Sequence, residues 1–319
     1  MEDIRFLVEN YYDIQKLRVE TFNRLVMFIK ENVKQIMSQA NFETQSECAS
    51  QKKCETHSES ASQKKNEAQH RFASQLKDGT HSLLASQLKY GTHFGFASEL
   101  LEKKKYAEFV KKYVLNEKIK IAEVENIVWF HNKLYETEKE LYKRLDAWSI
   151  DHPLRKRFLN YVKGIGPVLS SGIISWFSDP ILKADYVGQI WSYCGLSPQS
   201  TRKKGEKTKY NPRVKTFCWK IGQSFIKFKC FGRKLYDDFK EQAKEKHKDW
   251  SKLHIHNYAR RKVVKLFIAS IWETWRKLNN LPITDPYPIE FQGHKDRILP
   301  EKWIEKEKRS EDGRGKKVE

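Results

Sequence analysis

Gly164-Ile165-Gly166-Pro167 is the segment whose residue types point most directly to chemistry. Glycine has no Cβ, so positions 164 and 166 can take positive φ and let a ligand come close to the backbone. Proline at the first position of the following helix loses nothing, because an N–H there would have no partner in any case. The run from Arg155 to Lys163 and the run from Val168 to Phe177 each read as a helix. A helix, a glycine hairpin and a second helix present free main-chain amides to an anion. Such a turn holds a phosphate while reading little sequence. The amides of Gly164, Ile165, Gly166 and Val168 are the candidate donors. The plainer reading is a tight turn between two core helices.

A second candidate follows. Between Arg202 and Lys215 fall seven basic side chains (Arg202, Lys203, Lys204, Lys207, Lys209, Arg213 and Lys215) and one acid, Glu206. These can pair with phosphates, and Tyr210 among them can stack on a base. A loop of this composition is otherwise a solvated surface. Thr216 to Phe228 reads as a helix, and a last long helix runs from about Tyr258 to Leu278. Its apolar stripe is Val264, Phe267, Ile268, Ile271, Trp275 and Leu278, with Trp272 and Trp275 read as core. Arg260, Arg261, Lys262 and Lys265 sit near its expected start, where cations oppose the helix dipole, which points to an external anion.

The elements that position these residues are expected to be helices throughout. The chain has 319 residues, 61 Lys+Arg and 41 Asp+Glu, for a net charge of +20. Residues 151–319 carry 37 basic and 19 acidic residues, so nearly all of that excess lies in the second half. Such a field attracts polyanions, with nucleic acid first and an anionic membrane as the competitor. No apolar run is long enough to span a bilayer, and the first residues lack the pattern of a signal peptide. The five cysteines are odd in number and lack C-x-x-C spacing, which suggests reduced thiols in the cytoplasm and no zinc site.

Residues 4–36 read as one amphipathic helix, with Phe22, Leu25, Val26, Ile29, Val33 and Ile36 at three- and four-residue steps. A 12-residue repeat follows, its units beginning at Ser38, Ser50, Ser62, Ser74 and Ser86. The units are polar and hold few core-forming residues, so a disordered or loosely helical insert is expected. Their histidines (His57, His70, His81 and His93) owe their spacing to duplication more simply than to metal binding. Residues 99–148 return to helix, with Ile127, Leu134, Leu141 and Trp148 every seven residues. As single rods the two helices would run about 50 Å and 75 Å. They predict an antiparallel hairpin or an oligomerising coiled coil, with a simple helical bundle as the plainer alternative. The expected fold is therefore mainly α. Residues 1–37 form a helix, 38–97 the insert, 98–150 a long helix or coiled coil, 151–290 a compact helix-hairpin-helix domain and 291–319 a charged tail.

Taken in order, these blocks resemble the C-terminal domain of the DEDD-type insertion-sequence transposases (the one-ten, one-sixteen and nine-oh-two group). The matching blocks are Gly164–Pro167, Tyr193–Pro198, Arg202–Lys209, Asn211–Lys215 and Ala259–Lys262, within residues 155–280. The resemblance implies DNA binding in transposition or recombination, with structured RNA as in relatives, close to the prokaryotic nucleoid. Two departures stand against a catalytic role. The family begins with an RNase-H-like nuclease domain bearing four metal-binding acids, and residues 1–150 carry no such strand pattern. The family also places a nucleophilic serine just before the glycine of the basic loop, where this chain has Lys203 and Lys204. Ser200 is the nearest candidate, out of register and without an evident base. No cofactor is expected from these residues; a divalent metal would enter only with a partner nuclease domain. The alternative is a non-catalytic, DNA-binding and oligomerising accessory to a full-length transposase.

Overall fold

The computed structural model describes residues 2–55, 97, 99–198, 200, 205–290 and 297–304. The protein is mainly helical, and the described residues form no strand. An isolated antiparallel bridge pairs Val162 with Ile304. Two compact units divide the chain, one of Tyr12–Lys139 and one of Met1–Tyr11 with Glu140–Glu319.

Helix α1 spans Glu2–Glu55, beyond the expected end near residue 36. It runs through the first repeat and into the second, and neither contains glycine or proline to stop it. The later repeats, and the four repeat histidines with them, lie outside the described residues apart from the Ala97 end.

The single helix expected over residues 99–148 is not what forms. The chain turns at Lys104 and Glu117, both left-handed with φ 55°. Between them α2 (Tyr106–Phe109) passes into a π turn over Val110–Val114. A continuous rod begins only at α3, Glu125–Ser149. The cause is burial. Phe109, Val110, Tyr113, Val114 and Ile121 close around Leu25 and Ile29 of α1 and Val128 of α3, which a straight helix could not achieve. Within residues 12–139, Gln15 and Arg18 both donate to Glu138, and Phe22 lies against His131. Leu25 and Ile29 share their cluster with Val124 and Val128, so the two helices run antiparallel there. The seam differs from the expected heptad. Val124, Val128, His131, Leu134, Glu138 and Leu145 are buried, whereas Tyr135, Tyr142 and Trp148 are exposed.

In the second unit α4 (Pro153–Arg157) and a 3-10 turn (Leu159–Tyr161) precede the glycine hairpin. There follow α5 (Pro167–Lys183), α6 (Val187–Tyr193), α7 (Pro212–Phe228), α8 (Phe231–Lys246), α9 (Lys252–Leu278) and α10 (Tyr287–Glu290). α9 is the centre, with α4 to α8 all packed on it. Two glycines allow close helix approach. A Cβ at Gly172 would sit 2.3 Å from the Phe217 ring of α7, and one at Gly222 would sit 2.6 Å from Arg260 Cγ of α9. Trp272 and Trp275 are core, as expected, although Leu278 is exposed. The expected charged tail is partly core. Trp303 is buried against Phe225, Phe231 and Phe267, bringing Ile304 beside Val162.

Candidate nucleic-acid interface

The glycine turn forms as its residue types predict, with two corrections. Gly164 is left-handed, φ 95°, a conformation that L side chains rarely adopt. Gly166 is not: its φ of −96° is open to any residue. What distinguishes Gly166 is space, since beyond its own chain neighbours no atom lies within 4 Å of where a Cβ would stand. It is the N-cap of α5, Pro167 is the first helical residue, and no side chain caps the helix. Among the described residues the amides of Gly164, Gly166 and Val168 have no main-chain acceptor. They stand at the positive end of a 17-residue helix. The second correction concerns Ile165. Its amide donates to Val162 O at 3.1 Å and its side chain is buried, so it anchors the turn rather than offering a donor.

Not all the charge before the turn is available. Arg155 is buried and donates to Asp146, Ser149 and Asn160, and Lys156 pairs with Asp151 at 2.8 Å. Arg155 therefore fastens α4 to the end of α3.

The turn leans on the far end of α7. Ser224 Oγ donates to Gly164 O, and Phe225 Cδ1 and Phe228 Cβ lie 3.5 and 3.6 Å from where a Gly164 Cβ would be. Lys227 and Lys229 flank Phe228 and are exposed, as is Lys163 of the turn. Among the described residues none of these three forms an ion pair, and neither does Lys207 or Lys209.

The basic loop leads into the opposite end of α7. Arg202, Lys203 and Lys204 lie outside the described residues. Lys207 and Lys209 are exposed. Asn211 caps α7, its Oδ1 accepting from the amides of Arg213 and Val214, so the Asn of this block has a structural task. Lys215 Nζ lies 4.3 Å from the Tyr210 ring centroid, and both side chains roof Gly195, whose φ is 67°. A Cβ at Gly195 would stand 2.8 Å from Tyr210 Cδ2. One face of Tyr210 is thus already taken by Lys215. Arg213 is exposed but meets Glu9 at 3.4 Å, beside a cleft of about 650 Å³ that Glu2, Arg5, Phe6 and Trp176 also line.

The turn and the loop are therefore brought not to one point but to two ends of one helix. α7 has 17 residues, about 25 Å at 1.5 Å per residue. Arg213, Thr216, Trp219, Gln223 and Lys227 recur along its outer side at helical steps. Such a face can hold several anions spaced along a line.

The helix-start argument for the α9 cluster does not hold. α9 begins at Lys252, capped by Ser251 Oγ accepting from the His254 amide. Arg260 thus lies two turns inside the helix, where the dipole argument carries no weight. The cluster rests on aromatic rings instead. Arg260 lies over Trp219 at 5.3 Å, Lys262 over Phe239 at 4.7 Å and Lys265 over Trp191 at 4.1 Å. Burial, then Arg261 and Lys262, lower the Lys265 pKa.

Ser200 donates its amide to Ser197 O at 3.0 Å. Among the described residues its hydroxyl has no histidine or carboxylate partner. Cys194, Cys218 and Cys230 are buried, and burial pushes the Cys194 thiol well up.

Lys163, Lys227, Lys229 and Trp219 are the members of this surface that residue patterns did not place in the site; Arg260 was linked to an external anion, but by a helix start that lies elsewhere. Lysines at a helix C-terminus are ordinary dipole partners and carry no separate signal. Trp219 and Arg260 are joined only by the crossing of α7 and α9. Comparison with protein-family models, curated proteins and solved structures finds no match for this chain.

Proposed function

We propose that this protein binds nucleic acid along the outer side of α7. The amides of Gly164, Gly166 and Val168 take one phosphate, and Lys163, Lys227 and Lys229 surround it. Lys207 and Lys209 serve the other end, and Arg202, Lys203 and Lys204 add to the positive charge that attracts the nucleic acid. Main-chain donors and flexible lysines fix position and carry little sequence information. The observation that carries this reading is the uncapped N-terminus of α5 at Gly166, open to approach and joined by α7 to Lys207, Lys209, Lys227 and Lys229, which have no acidic partner among the described residues. The resemblance of the block order to insertion-sequence transposases adds a setting, DNA transposition or recombination, with DNA and structured RNA as partners.

Binding of a labelled duplex by fluorescence anisotropy, repeated over a range of salt, tests the reading. The logarithm of the affinity should fall linearly with the logarithm of salt, by about 0.9 per phosphate neutralised. No binding at low salt of duplex, structured or single-stranded nucleic acid would refute it.

A second reading is that the chain assists a complete transposase instead of performing strand transfer. Lys203 and Lys204 in the serine's place, and helices instead of strands through the described part of residues 2–149, favour it. Strand transfer on element ends with the isolated chain, abolished by Ser200→Ala, would overturn it.

A further inference from the structure

α9 crosses α7 at Gly222. With any larger residue there, a Cβ would come 2.6 Å from Arg260 Cγ and 3.0 Å from its Cδ, so glycine makes a notch for the arginine stem. From the notch the guanidinium extends over the Trp219 ring, 5.3 Å from its centroid. Nη2 donates to Asn257 Oδ1 at 2.7 Å, and Nη1 lies 3.5 Å from His256 Nε2. His256 is held in turn by Tyr236, with 2.7 Å between Oη and Nδ1. Arg260 is thus seated, oriented and braced. Yet among the described residues no carboxylate pairs with it. Burial lowers its pKa, so the site disfavours the charge it holds. An external anion would offset that cost, and the guanidinium keeps donors free for it. Beside it Trp219, the largest apolar side chain, is 49% exposed in the middle of a helix whose two ends are basic.

We propose that Trp219 and Arg260 form a nucleotide subsite, in which an unpaired base stacks on the open part of the indole and an adjoining phosphate meets the guanidinium. The subsite rests on the reading that α7 carries nucleic acid, and it names the preferred form as single-stranded. Every base has a π face, so the stack tolerates any sequence. Arginine suits the position better than lysine because its planar fork both stacks and pairs with phosphate.

The test measures the full chain against a labelled oligothymidylate of about a dozen nucleotides and a blunt duplex of the same length. Trp219→Ala should weaken strand binding roughly tenfold or more, and duplex binding by distinctly less. Trp219→Phe should restore most of the strand affinity, and Arg260→Lys should fall between. Saturating oligothymidylate should quench an emission component present in the wild type and missing from Trp219→Phe, a readout that does not depend on the alanine variant's folding. Equal losses on strand and duplex, no loss on the strand, or no Trp219 quenching would overturn the subsite. A wild type that binds duplex but not the strand would also overturn it, leaving the parent reading intact. One that binds neither would remove both.

Discussion

Residues 12–139 and the α7 face use positive charge differently. In the first region several cations close on acids of the same unit: Arg18 on Glu138, Lys16 on Glu20, Lys112 on Glu108 and Lys133 on Glu136. Arg24, Lys30, Lys118 and Lys120 there form no ion pair among the described residues. Along α7 and its glycine turn Lys163, Lys207, Lys209, Lys227, Lys229 and Arg260 have no such partner among the described residues. The second unit does have acids. It uses them to fasten Arg155, Arg233 and Arg297, away from this face or at its margin. Net charge alone would not separate these cases. What separates them is the glycine turn: on the α7 face unpaired lysines stand beside the uncapped N-terminus of α5, and a paired cation elsewhere has little left to offer a phosphate.

The largest expected effect tests the paired region. Arg18→Ala leaves Glu138 buried with only Gln15 beside it, which should cost about 3 kcal/mol in urea denaturation. Nucleic-acid affinity should hold; a parallel loss would erase the contrast between the regions. Next, replacing Lys207, Lys209 and Lys227 together with alanine should lower the salt slope of binding by about 2.7, at 0.9 per phosphate. The matching triple of Lys16, Lys112 and Lys133 should leave the slope where it was.

A finer test separates fold from binding within one residue. Gly166→Asp meets no neighbour, suits the φ of −96° and places a favoured capping residue before α5. The thermal midpoint should hold or rise while affinity falls about tenfold, since like charges near a surface repel by about 1–4 kcal/mol at 4 Å. Unchanged affinity would show the turn to be purely structural.

The smallest effect concerns an acid that the second unit uses internally. Burial pushes the Glu273 carboxyl up, but hydrogen bonds from Lys277 and Arg297 outweigh it, and the net pKa is lowered. A carboxyl lowered in the folded state adds stability above its ordinary range and loses it as pH falls through the lowered value. Glu273→Gln should therefore flatten the fall in thermal midpoint between about pH 6 and about pH 3. An unchanged acid profile would show that this pair does not couple to folding.

The helical class, the glycine hairpin and the tryptophan core of α9 were legible because each depends on local residue types. Proline after glycine marks a helix start wherever the chain goes. The breaks at Lys104 and Glu117 were not legible, since neither carries glycine or proline and both exist to bury Phe109, Val110 and Ile121. α8 and the docking of Trp303 escaped for the same reason. Within the candidate site, the residue pattern marked the left-handed Gly164 turn but offered the Ile165 amide as a donor that Val162 O already accepts.

By itself the sequence determined the helices' periodicity, the excess of cations in the second half and the backbone freedom at Gly164. Those are properties of single residues and near neighbours. Only the tertiary structure decided that α7 joins the glycine turn to the basic loop, that Arg155 and Arg213 face acids, and that Arg260 crosses Gly222 to reach Trp219. These depend on which helices meet, and residues 41 positions apart share no local signal. Packing places the acids, and the placement of the acids settles which cations remain open to a phosphate.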